Sequence, residues 1–78
     1  MKATKLAHTD EPNYGEIVEF PGGGGTFIRG TVHEIYGFPP RRHVIILLTP
    51  EISGEFVVDK PSTVSWPLEG IRRSPHHA

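Results

Sequence analysis

The longest patterned stretch of this chain, residues 26–36, reads Thr-Phe-Ile-Arg-Gly-Thr-Val-His-Glu-Ile-Tyr. β-Branched and aromatic residues dominate it, Gly30 interrupts it and glycines at 22–25 precede it, so it predicts a long strand that bends midway. Strict alternation puts Ile28, Val32 and Glu34 on one face and Phe27, His33 and Ile35 on the other. The pattern slips between Val32 and Ile35, and a β-bulge or sharp coil there turns both inward. Upstream, Glu16, Ile17, Val18, Glu19 and Phe20 read as a first strand closed by Pro21. Downstream, Gly37, Phe38, Pro39, Pro40, Arg41 and Arg42 form a connection, since two prolines do not sit in a central ladder.

Residues 43–49 are the most hydrophobic segment. Five apolar residues in a row, Val44, Ile45, Ile46, Leu47 and Leu48, imply that both faces of this strand are covered. A small β domain dries only one face, so the other calls for a lid or a second subunit, and these five residues are the expected oligomer interface. Residues 50–54 read as a turn, 55–59 as a further strand, 60–62 as another turn and 63–66 as a strand with Val64 and Trp66 on one face. Residues 67–70 fit a single 3-10 turn with Gly70 at its end, and Ile71, Arg72 and Arg73 a last short strand. No window supports a helix of ordinary length, because Pro and Gly together supply 17 of the 78 residues (9 Gly and 8 Pro). The sum is an all-β fold, a small SH3-like barrel of five or six short strands with one 3-10 turn before the last. Its expected limits are a mobile arm over residues 1–13, the barrel over 14–73 and a frayed tail over 74–78.

Composition narrows the chemistry. Cysteine is absent, which excludes disulfides, a zinc ribbon and a thiol nucleophile, and favours a reducing, cytoplasmic setting. No run approaches the roughly 20 apolar residues of a membrane span. Net charge is −1, divided as −2 over residues 1–39 and +1 over 40–78, far from the strongly basic balance of a non-specific nucleic-acid binder.

The glycines at 22–25 lack the following helix and lysine of a phosphate loop, so they read as a flexible turn. His8, His33, His43, His76 and His77 have no metal-ligand spacing. The serines lie in no nucleophile elbow. Paired acids at Asp10 and Glu11, and at Glu16 and Glu19, read as solvated faces. Arg72 and Arg73, with His76 and His77, read as a solvated basic end. No catalytic residue, cofactor or metal is expected. The contact candidates are Tyr36, Phe38, Arg41, Arg42 and Trp66: aromatics and prolines near one end of a barrel make a groove for extended peptides or bases, and arginines beside it meet carboxylate or phosphate.

Gly15-Glu16-Ile17-Val18, then glycines, then Gly30-Thr31-Val32 and a closing Trp66-Pro67-Leu68-Glu69-Gly70-Ile71-Arg72-Arg73 resemble the small SH3-like barrel superfamily over about residues 14–73. Within it the chain is similar in length and ending to the type II dihydrofolate reductases, whose four barrels ring a pore that binds folate and NADPH. The pore-lining Val-Gln-Ile-Tyr of that family falls on Thr63, Val64, Ser65 and Trp66, and its lysine on Phe20 or Pro21, so the resemblance implies the shape without the activity. The strand pattern is also similar to that of the bacterial Sm-like RNA chaperones, of whose Tyr-Lys-His signature Lys60 alone is present. The expected function is a non-enzymatic binding module acting through protein contacts and self-association, with a nucleic-acid-binding Sm-like or KOW-like barrel as the alternative, a type II reductase-like enzyme as the second, and no membrane partner.

Overall fold

The computed structural model describes residues 11–74. Five strands follow one another, β1 (Ile17–Gly23), β2 (Thr26–Tyr36), β3 (His43–Leu48), β4 (Ser62–Pro67) and β5 (Arg72–Arg73), with one helical turn, α1 (Pro50–Ser53), before β4 and a 3-10 turn (Leu68–Gly70) before β5. All ladders are antiparallel, in the order β4-β3-β2-β1-β5. The fold is therefore all-β. Among the described residues the ladder does not close on itself, and β4 and β5 are its edges.

Register sorts the side chains. Val18 and Phe20 lie opposite Gly30 and Ile28, Val32 and Ile35 opposite Ile46 and Val44, and these in turn opposite Val64 and Trp66. Each of these pairs faces inward, so one apolar face runs across four strands. Val18, Phe20, Val32, Val44, Ile46, Leu48, Leu68 and Ile71 form the buried core, with Ile28, Ile35, Val58, Val64 and Trp66 packed against it. The expected slip in β2 is a bulge between Val32 and Glu34: His33 is the extra residue, and the register shift lets both Val32 and Ile35 face the core.

Two glycine positions explain the shape of β2. A methyl group on Gly30 would collide with Ile46 Cγ2 and sit 2.9 Å from Leu48 Cδ2, so β3 side chains cross directly over the bare backbone where the strand bends. Gly24 and Gly25 are the two residues between β1 and β2, both at positive φ (62° and 80°), as a type I′ hairpin turn demands. The glycine run is thus a defined tight turn.

β1 continues through Pro21 to Gly23 instead of ending at Phe20. The carbonyl of Glu16 accepts from Val32 N on the β2 side, whereas that of Ile17 accepts from Ser74 N on the β5 side. By the two-residue period Pro21 shares the side of Ile17, where β5 has already ended, so its missing N–H costs no ladder bond.

The expected turn at 50–54 is a helical turn over Pro50–Ser53: Thr49 caps α1 through its side chain, Pro50 opens it, and Gly54 at φ 108° ends it. Residues 55–59 are not the expected strand. Val57 N and Val58 N both turn back to the Gly54 carbonyl, which curls the segment into turns; Val58 reaches the core, and Phe56 stands fully in solvent. The 3-10 turn and β5 fall within the expected 67–70 and 71–73, each one residue shorter at its start. Of the expected arm and tail, residues 1–10 and 75–78 lie outside the described residues; Glu11, Pro12 and Asn13 are described, and Pro12 is buried.

Candidate contact surfaces

The connection from β2 to β3 holds the first candidate. Gly37 adopts φ 96°, and a Cβ there would meet the Arg41 carbonyl oxygen at 2.5 Å, so the loop doubles back tightly at a position that requires glycine. Arg41 N donates to the Phe38 carbonyl (2.7 Å), and Arg42 Nη1 donates to the Gly37 carbonyl (2.6 Å). Arg42 Nη2 also pairs with Glu11 Oε2 at 2.5 Å, and its carbonyl accepts from Leu68 N. At the tip of this cross-braced loop Phe38 is 87% exposed, with the exposed Arg41 three residues on.

The five candidate contact residues divide. Tyr36 lies opposite His43 on the outer face of the sheet, stacks on its ring (centroids 5.5 Å apart, 22° between planes) and hydrogen-bonds through its hydroxyl to Ser65 Oγ at 2.8 Å. Trp66 faces the other way: it lies opposite Val44 on the inner face, packs on Phe20 at 5.2 Å between centroids, and leaves no room for a side chain at Gly70, where a Cβ would meet its Nε1 at 2.5 Å. Trp66 therefore closes the open end of the core across from β1 and does not line one groove with Tyr36. Arg42 is spent on loop bracing, whereas Phe38 and Arg41 remain presented to solvent.

The five apolar residues of β3 divide in the same way. Val44, Ile46 and Leu48 are buried in the domain's own core; only Ile45 and Leu47 point outward, half-buried, between Glu34 and Ser65 and between Thr31 and Thr63. The outer face of β2, β3 and β4 is accordingly a mixed surface of Tyr36, His43, Ile45, Leu47, Thr63 and Ser65.

A third group escaped the sequence reading. Glu19 is not solvated but 7% exposed, held by Arg72 Nε at 2.8 Å and Arg29 Nη2 at 3.7 Å, while the Arg72 guanidinium lies 3.6 Å over the Phe27 ring. Beside it Glu16 pairs with Arg73 at 2.6 Å and accepts from Asn13 N, so the basic end of the chain is a seam joining β5 to β1. The cross-strand register, Glu19 opposite Arg72, was the signal that links them, and it is invisible until β5 is known to pair with β1. Elsewhere, a concavity of about 410 Å³ runs along residues 55–62, beside the exposed Phe56 and Val57.

Among the described residues no helix is long and apolar enough to cross a membrane. Compared with known proteins, the chain matches no family model, no curated protein and no solved structure.

Proposed function

We propose that this chain is a small SH3-like barrel that works by binding protein, itself included, rather than by catalysis. The observation that carries the reading is the loop of residues 37–42. Exposing a phenylalanine costs solubility, and bracing the loop that bears it with three hydrogen bonds and an ion pair pre-organises that side chain for a partner. The arrangement supports an extended, acidic or aromatic peptide, with Phe38 as anchor and Arg41 as the cation that meets a carboxylate. Self-association draws on the outward Ile45 and Leu47 and the neighbouring Tyr36.

The nucleic-acid reading has less support. Arg29, Arg42, Arg72 and Arg73 are all paired with glutamates of the same domain, which leaves Arg41 and Lys60 as the basic side chains without an ion pair among the described residues. Two free cations give a weak, strongly salt-dependent grip on a phosphate backbone.

The double variant Phe38→Ala with Arg41→Ala tests the surface. Both side chains are exposed, so the variant keeps the wild-type near-ultraviolet spectrum and melting temperature while losing captured protein partners in a tagged pull-down. Undiminished capture overturns the surface. Tight binding of a labelled single-stranded oligonucleotide at physiological salt, lost on replacing Arg41, favours nucleic acid instead.

A further inference from the structure

The free edge of β4 carries a pattern of its own. Leu68 N donates to the Arg42 carbonyl of the segment leading into β3, so by the two-residue period the main-chain groups of Ser62, Val64 and Trp66 also face β3. Those of Thr63, Ser65 and Pro67 face outward. Among the described residues nothing outside the β3 ladder bonds to the backbone of Thr63 or Ser65, and both residues are exposed. Pro67, and Pro61 just before the strand, lack an N–H. The edge thus offers two donors, Thr63 N and Ser65 N, between two prolines.

Free edges in soluble proteins are protected by charge, by bulges or by covering elements. The window Pro61-Ser62-Thr63-Val64-Ser65-Trp66-Pro67 has no charged residue, and its register against β3 has no bulge. Its sequence is nearly symmetric about Val64: hydroxyl residues one step away on both sides, prolines three steps away on both sides. Symmetry of this kind is what an antiparallel strand needs to pair with a copy of itself across a two-fold axis.

We propose that the chain forms a two-fold dimer in which β4 pairs with β4 of a second copy, centred on Val64. This rests on the self-association part of the function proposed above and moves its contact from the outer face of Ile45 and Leu47 to the adjoining β4 edge. In this register Thr63 of each copy lies opposite Ser65 of the other and exchanges both main-chain hydrogen bonds with it, so the two donors on each copy meet the two carbonyls they need. Pro61 lies opposite Pro67 of the second copy, and pairing stops at both ends in the same place. A register shifted by two residues sets a proline nitrogen against a carbonyl that needs a donor, so the prolines select this alignment. The half-buried Val64 side chains meet across the axis, the two five-stranded sheets become one continuous sheet, and Ile45 and Leu47 of both copies share one extended outer surface. The interface holds no charge, so its strength is insensitive to salt.

Val64 and its copy form a non-hydrogen-bonded pair with Cα atoms about 4.5 Å apart, within the range a disulfide spans. The chain has no cysteine, so Val64→Cys in the full-length protein introduces a single thiol. The expected result is near-complete covalent dimer on mild oxidation, with a Lys60→Cys control remaining monomeric on the same non-reducing gel. Ser65→Pro removes one outward N–H per copy without touching the β3 ladder, and light scattering across a concentration series should show dimerisation weakened at least about tenfold, from two lost hydrogen bonds. A wild-type dimer that survives Ser65→Pro, while the Val64→Cys variant fails to cross-link, overturns the β4 edge and leaves self-association standing. A wild-type monomer at every concentration overturns both. Should Ser65→Pro fail to fold, the Val64→Cys variant decides alone: absent cross-linking sinks the proposal.

Discussion

Glu19 is the residue where burial and charge meet most directly. A carboxylate with 7% of its surface left exposed is reached by both Arg72 and Arg29, and the Arg72 guanidinium in turn lies over the Phe27 ring. Glu19→Ala removes the acceptor and leaves Arg72 half-buried without its partner, at an expected cost of about 2 kcal/mol in urea unfolding. Glu16→Ala breaks a more exposed pair and should cost about 0.5 kcal/mol. Gly30 makes the opposite demand, for absence. Gly30→Ala puts a methyl group against Ile46 and Leu48, and about 1–3 kcal/mol of overpacking should appear as a lowered midpoint with unchanged slope. At Gly24 the constraint is φ: Gly24→Asn should be near neutral, whereas Gly24→Val should cost about 1–2 kcal/mol, measured the same way.

At the scale of the element, the period-two pattern was legible wherever one face was dry. β2 with its bend, β4 with Val64 and Trp66 on one face, and the 3-10 turn before β5 all follow from spacing and from Gly and Pro placement. The exceptions have separate causes. Phe56 and Val58 alternate as a strand would, but Gly54 offers its carbonyl to two following amides, and these local turn bonds take the place of a ladder. Pro21 reads as a terminator, yet its nitrogen faces an edge that no strand among the described residues occupies. In β3 the unbroken apolar run hides an alternation that is plain in burial: Val44, Ile46 and Leu48 are core, Ile45 and Leu47 surface. Tyr36 and Trp66 show the same limit for the site. Both lie near one end of the sheet, but composition does not tell which face each occupies, and register sends them to opposite sides. Ile45→Ser should therefore leave the melting temperature within about 2 °C, whereas Ile46→Ser should unfold the domain or lower it by more than about 10 °C.

For the molecule as a whole, the order of strands separates early contacts from late ones. β1 to β4 pair with their neighbours in sequence as a meander, but β5 returns to β1, joining Arg72 to Glu19 across 53 positions. Closing that loop costs more entropy than forming any hairpin, so the β1–β5 seam is expected to form after the folding transition state. Arg72→Ala should accelerate unfolding and leave the folding rate nearly unchanged, whereas Val32→Ala, in the central strand, should slow folding. Stopped-flow fluorescence of the single tryptophan, Trp66, reads both, since its ring packs on Phe20 across the core.

The return of β5 to β1 also has a consequence during synthesis. Glu19 is synthesised 53 positions before Arg72, roughly 3–10 s earlier at ordinary translation speed, and the outward edge of β1 waits that long for β5. Charge on a bare strand edge disfavours edge-to-edge pairing, so Glu16 and Glu19, which later fasten the seam to Arg73 and Arg72, should also guard that edge while it is open.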